Sequence, residues 1–390
     1  MNRSLTCRRD QSRRPGRRNS RSQALLKQPR LRTVNKMAGR IAPGEMSNTE
    51  SSRWLNRFAW FTAVATLFLI CSGGMVTSKG VGLAVPDWPT TFGYNMFLFP
   101  FSRWVGGIFF EHTHRLLASL VGFLTIILAL WLWFGDDRSS VRRLGFVALA
   151  AVILQGILGG LRVTMLKDEI GIFHALLAQA FLALLVFIAT VTTRIWRRLD
   201  PIAGRTGGSV SFRTIVLVTT AAIYLQLALG ATMRHQHRDL SILDFPTAYG
   251  SWLPDTSPER ISQINAARDK LALSDVTPFQ IWLQMAHRFG AVLVAAGTLA
   301  AALRVGSEFR GQILLRRLTL IWLALLFGQL TLGAWTIWSN KAADIATAHV
   351  ALGATMLSFG VAIYAVATQL IRISVSAATT RVEAGAVTVA

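Results

Sequence analysis

The sequence predicts an all-α integral membrane protein with eight transmembrane helices arranged as two pseudo-symmetric four-helix bundles. Three observations predict it. Of 390 residues, 52% are hydrophobic and they fall in long blocks, where about 20 apolar residues suffice to cross a bilayer core. The blocks number eight, at roughly 57–78, 113–134, 143–164, 171–193, 213–233, 281–303, 316–338 and 345–371. Landmarks in the first four recur, in order, in the last four. In lipid, runs of this length satisfy their backbone hydrogen bonds as helices, which argues against strands.

Residues 1–56 read as a basic, disordered tail. The net charge is +22, and residues 1–40 hold 13 Lys or Arg against one acid, Asp10. This Arg- and Ser-rich stretch fits either a transit peptide or a segment ahead of a true start at Met46. No aromatic residues interleave its arginines, which argues against nucleic acid. The other basic residues orient the spans by their bias to the cytoplasmic face. They fall in three short connections, at Arg138, Arg142 and Arg143, at Arg194, Arg197, Arg198 and Arg205, and at Arg304, Arg310, Arg316 and Arg317, with Arg372 after the last span. Both termini are therefore expected in the cytoplasm or the matrix, with the long connections 79–112 and 234–280 outside. The expected organisation is an N-terminal half 57–195, a linker 196–212, a C-terminal half 213–372 and a tail 373–390. The two cysteines, Cys7 and Cys71, lie in the tail and the first span, so no loop disulfide joins them.

The internal repeat is explicit. Asp87-Trp88-Pro89 is answered 157 residues later by Asp244-Phe245-Pro246. Glu111-His112-Thr113-His114-Arg115 is answered by Gln284-Met285-Ala286-His287-Arg288. Gln155 and Gly159 match Gln329 and Gly333, and His174 matches His349. The second outer connection is the longer one. Each half has an even number of spans, so the copies share one orientation about an axis along the membrane normal, as two bundles side by side.

Four of the seven histidines belong to this repeat: His114, His174, His287 and His349. Each falls in the first turns of an even-numbered span, so all lie in the outer part of the membrane, two per half. Ionisable residues inside a membrane are costly and mark function by default. Two opposed neutral imidazoles suit the axial positions of a haem iron. A hydrogen bond between helices is the plainer account of any one of them, but the duplicate register favours haem. Zinc fits less well, because each half offers too few N or S ligands for a tetrahedral site. His112 is two positions from His114 and points elsewhere, as an interfacial residue. His235 and His237 stand at the start of a loop, without counterparts, where solvation is the default.

The copies differ at one chemically important place. Glu111 lies three residues before His114 on the same helix face, and its match is the uncharged Gln284. A carboxylate beside a haem edge can take a proton or steady positive charge, so the first half reads as reactive and the second as an electron relay. An ordinary helix-start acid is the alternative. Arg115 and Arg288 are placed to pair with haem propionates, and snorkelling to headgroups accounts for them equally well. Lys79 is a weaker propionate candidate. Gly159 and Gly333 suit close helix or haem approach. Asp87, Trp88 and Pro89, with their matches, would fold the outer connections over the pockets, Trp88 having interfacial anchoring as an alternative.

On these residues, across about 57–370, the chain resembles the haem A synthases, with the Glu-x-x-His-Arg pattern at Glu111, His114 and Arg115 as the most specific element. The resemblance implies a multi-pass protein of the bacterial plasma membrane or the mitochondrial inner membrane. It implies that the first half holds the substrate, haem O, between His114 and His174, and that haem b sits between His287 and His349 to handle electrons. It further implies oxidation of the haem O C8 methyl to a formyl group by successive hydroxylations, with Glu111 as the essential acid. Haem O synthase and the cytochrome oxidase assembly machinery are the implied partners. Some members carry a cysteine pair in the first outer loop, absent here, and the Arg-Leu-Thr stretch common after the first helix is replaced near Thr77-Ser78-Lys79. Two other functions remain compatible with the residues alone: a b-type cytochrome that only passes electrons, and a haem-holding assembly module.

Overall fold

The computed structural model describes residues 43–197, 199, 211–236, 240–309 and 311–389, with side chains described between 53 and 373. Ten α-helices follow in order: α1 Pro43–Ser78, α2 Gly106–Gly135, α3 Ser139–Met165, α4 Asp168–Val191, the single turn α5 Arg194–Arg197, α6 Phe212–Gln236, α7 Pro258–Asp269, α8 Pro278–Glu308, α9 Ile313–Trp338 and α10 Ala343–Val389. All but α5 and α7 contain a stretch long and apolar enough to cross a membrane, eight spans where eight were expected. Among the described residues there is no strand, only isolated bridges at Thr91–Tyr94 and Ala248–Ser251.

Local chemistry sets several helix ends. A capping box of Thr277 and Gln280, with Pro278 in the first turn, starts α8. Ser257 caps α7, again ahead of a proline. Leu166, at φ 56°, turns the chain sharply between α3 and α4.

In the first half α3 packs on both α2 and α4, and α1 joins them through Leu55, Ala59 and Ala63 in one cluster with Leu128, Leu132, Leu185 and Ile188. In the second half α6, α8, α9 and α10 pack together around the fully buried Trp322, whose indole N–H donates to the Met356 carbonyl. Lipid offers no hydrophobic drive between helices, so close approach of backbones matters. Consecutive threonines supply it on α6: Thr219 fits against Gly297 of α8 and Thr220 against Gly360 of α10. The halves meet where α4 packs on α10 and α6, and Ala354 of α10 belongs to the first-half core.

Three boundaries differ from expectation, for one reason: an apolar block marks only the lipid-facing part of a helix. The disordered tail was expected to reach residue 56, but α1 begins at Pro43; residues 1–42 lie outside the described residues. The α2 helix starts at Gly106 rather than 113, which sets His114 about two turns inside it. The C-terminal tail continues α10 as helix to Val389. The extra length of the second outer connection is largely α7.

On the basic side, the buried Asp136 carboxylate accepts from Arg138 at 2.6 Å and lies 3.6 Å from Arg197, while Arg138 also donates to the Val191 carbonyl. Burial alone would raise its pKa, but the Arg138 hydrogen bonds and the two guanidiniums outweigh burial and lower it. A lowered folded-state pKa contributes stability above the unfolded value of about 3.9, which is lost as pH falls below it. Asp136→Asn should lower unfolding stability in detergent by roughly 1–3 kcal/mol at pH 7 and flatten the loss of stability below about pH 4; thermal unfolding across pH 3–7 measures both.

Candidate functional site

Two outer connections of different length use one device. Asp87 accepts hydrogen bonds from the Thr90 hydroxyl at 2.5 Å and from the N–H groups of Phe92 and Gly93 at 2.7 and 2.8 Å. Asp244 accepts from Thr247, Tyr249 and Gly250 at 2.7, 2.8 and 3.0 Å. The N–H groups converge because Phe92 and Gly93, like Tyr249 and Gly250, take positive φ, the backbone shape that forms an anion-binding nest. Burial opposes the charge on Asp87, but these hydrogen bonds prevail and hold its pKa down at about 2; the same balance lowers Asp244. Trp88–Pro89 and Phe245–Pro246 are both cis.

Arginines from the helices beneath clamp these turns. Arg115 donates to the carbonyls of Asp87 (2.6 Å), Thr90 (3.0 Å) and Val85 (2.8 Å), and to Glu111 Oε1 (2.8 Å). Arg288 donates to Asp244 and Thr247 at 2.7 and 2.8 Å. Both Nη groups of each arginine are thus directed into the turns, where the sequence had offered propionates or headgroups. Glu111 Oε2 accepts from Val85 N–H at 3.0 Å, and Gln284 Oε1 accepts from Ile242 N–H at 2.9 Å. The copies part at the other atom: Glu111 Oε1 pairs with Arg115, whereas Gln284 Nε2 donates to the Ile242 carbonyl at 3.1 Å.

Below the turns, each repeated histidine lies against a glycine of the preceding transmembrane helix. A Cβ built on the glycine would stand 2.9 Å from the ring for Gly73 and His114, 3.4 Å for Gly159 and His174, 3.5 Å for Gly230 and His287, and 3.1 Å for Gly333 and His349. Each ring is also within hydrogen-bonding reach of the backbone four residues before its glycine, at Leu69, Gln155, Gln226 and Gln329. The His287 and His349 ring centroids are 6.3 Å apart. In all four rings Nδ1 is shielded from solvent and has no hydrogen-bond partner. Unpaired buried polar atoms are rare and costly, and four in matched positions are the chemistry expected of metal-ligating imidazoles. Among the described residues no three His, Cys, Asp or Glu side chains converge as a metal site would need.

Two histidines sit differently from expectation. His112 is fully buried rather than interfacial: it contacts Thr91 at 3.3 Å and packs on Phe99 and Trp104 beneath the first outer connection. His235 is held in the protein rather than solvated, its ring against Gly171, because α6 runs three residues past the expected boundary. His237 lies outside the described residues. Lys79 is exposed, with its ammonium 4.8 Å from the Phe110 ring centroid, and the Trp88 ring covers Gly160.

Residues 99–361 match the family described as cytochrome oxidase assembly protein (COX15-CtaA). The chain belongs to this family. Curated relatives agree. A haem A synthase of Shouchella clausii is 29% identical over 66% of this chain and 85% of its own length. One of Geobacillus kaustophilus is 25% identical over 76% and 86%, and one of Novosphingobium aromaticivorans is 29% identical over 64% and 69%. The segment matched to the cytochrome oxidase assembly family contains all four histidines and Glu111, and begins after the Asp87 turn.

The sequence reading overlooked Gly73, Gly230 and Gln226. Their signal was the spacing Gln-x-x-x-Gly, which occurs at 155/159, 226/230 and 329/333 and becomes Leu69-x-x-x-Gly73 on α1. It also overlooked Arg162 and Arg234, charges near the outer ends of apolar spans, a pattern that marks function by default.

Asp87→Ala should loosen the first outer connection and leave the second intact, seen as faster hydrogen exchange at Phe92 and Gly93 but not at Tyr249 and Gly250. In the unmodified protein, protection at Phe92 and Gly93 should persist above about pH 4 and fall towards about pH 2, since a depressed carboxyl pKa stabilises only above the unfolded value.

Proposed function

We propose that this chain is a haem A synthase: a multi-pass membrane oxidoreductase that converts haem O to haem A for cytochrome oxidase assembly. One observation carries the reading, the two matched pairs of half-buried imidazoles whose shielded Nδ1 atoms have no partner among the described residues. Membership of the cytochrome oxidase assembly family and relatives named haem A synthase support it.

In this reading His114 and His174 hold haem O, and His287 and His349 hold haem b. When bound, the porphyrins supply the redox chemistry, oxidation of the C8 methyl to a formyl by successive hydroxylations with onward passage of electrons. The four glycines let each imidazole approach its neighbouring helix and fix the ring's direction. The Asp87 and Asp244 turns, clamped by Arg115 and Arg288, cover the outer side and limit water. Glu111 is the proposed catalytic acid. Its Oε1 faces Arg115 where the second half has an amide, so only the first pocket has a carboxylate able to accept or return a proton. Both termini are assigned to the cytoplasmic side of an inner membrane by the placement of arginines, and haem O synthase is the proposed donor.

Extraction and mass analysis of pigments test the proposal. Haem A should appear only when the chain is co-expressed with a source of haem O; haem B alone under those conditions overturns it in favour of an electron-carrying cytochrome. Glu111→Gln should keep the Val85 contact and the pigment yet cut haem A yield by about 10²-fold or more; unchanged yield rejects that role. Gly73→Ala, which forces a Cβ to 2.9 Å from His114, should deplete first-half pigment, whereas Gly230→Ala, at 3.5 Å, should leave the second nearly full.

A further inference from the structure

Each glycine beside a histidine is followed, one turn further out on the same helix face, by a polar residue: Thr77 after Gly73, Arg162 after Gly159, Arg234 after Gly230 and Thr336 after Gly333. Two of the four are cations, and neither has a cationic match in the other half. Arg234 reaches across the seam between the halves, donating to the Gly74 carbonyl and the Ser78 hydroxyl of α1, and its buried Nε has no partner. Arg162 forms no hydrogen bond or ion pair among the described residues. Its Nη2 would lie 3.0 Å from a Cβ on Gly82, under the first outer connection. The acids that act on it through space, Glu111 and Asp168, form no ion pair with it, and Glu111 is already engaged by Arg115 and Val85. Arg162 also lies within electrostatic range of His114, His174 and Arg234.

Two guanidiniums within electrostatic range of each other, in a span end partly shielded by protein, favour an anion beside them. Arg162 shares a helix face with Gly159, which lies against the His174 ring, so an anion in the space beside that ring would be within its reach. We propose that Arg162, backed by Arg234, binds a carboxylate of the porphyrin held between His114 and His174, the planar guanidinium matching a propionate group. Thr336 takes the corresponding place in the second half, its hydroxyl donating to the Leu332 carbonyl, so this contact distinguishes the first pocket from the second. The inference rests on the assignment of a porphyrin to that pocket.

Titrating the pigment-stripped, detergent-solubilised full chain with iron protoporphyrin and with its dimethyl ester tests it by absorbance. Two binding events are expected for the diacid, and Arg162→Gln should weaken one of them at least ~10-fold while leaving the other as an internal sign of correct folding. The same variant should bind the dimethyl ester as the unmodified chain does, and Arg162→Lys should recover part of the loss. Equal binding of diacid and diester by the unmodified chain overturns the carboxylate contact, as does an Arg162→Gln variant that binds the diacid normally. The paired control is His174→Ala: if it abolishes one event while Arg162→Gln changes nothing, only the carboxylate contact falls. If His174→Ala also leaves both events intact, the pocket assignment itself fails.

Discussion

A bilayer core holds no water to pair a buried polar group, so each polar side chain on a span must find its partner inside the protein or in a ligand. That constraint sorts the polar residues of this chain into two sets. Glu111, Gln284, Arg115 and the two Nη groups of Arg288 are engaged by the outer connections, and their hydrogen bonds hold those connections down on the bundles. The four imidazoles, each with an unpaired Nδ1, are not satisfied. Neither is Arg162. A folded membrane protein tolerates such groups where something else completes them.

The outer connections show how little sequence is needed to repeat a shape. Asp87 and Asp244 collect the same three donors, and an arginine one helix below binds the resulting carbonyls in both copies. The surroundings are free to differ. Under the first connection His112, Phe99 and Trp104 form an aromatic floor; under the second, α7 adds Ile264 to a small core with Ile242, Val276 and Met285. A common skeleton thus carries two covers, and the chemistry diverges where a single atom changes, oxygen in Glu111 and nitrogen in Gln284.

Of the four glycines beside the histidines, Gly73 and Gly333 are the ones with no room for a Cβ. A Cβ within about 3 Å of a ring cannot be absorbed by a helix fixed against its neighbours. Three of the four histidines have a glutamine one turn before their glycine, with an amide oxygen that is buried and unpaired. The ring of His114 alone meets Leu69 there. The surroundings of the histidine rings are therefore unequal between the halves at this position as well as at Glu111.

Eight spans, their order and the matched histidines were legible in the sequence because apolar length and residue spacing along one chain are local properties. The Asp-x-Pro turns were legible as a repeat for the same reason. What Arg115 and Arg288 touch was not, since a guanidinium six bonds from its backbone can reach headgroup, ligand or carbonyl, and only the path of the connection above decides among them. The burial of His112 and the partial burial of His235 depended likewise on where the chain returns after leaving a helix. Charge along the chain reports topology and does not single out Arg162. Its lack of a partner among the described residues depends on where all of those residues lie, and tertiary structure alone contains that information.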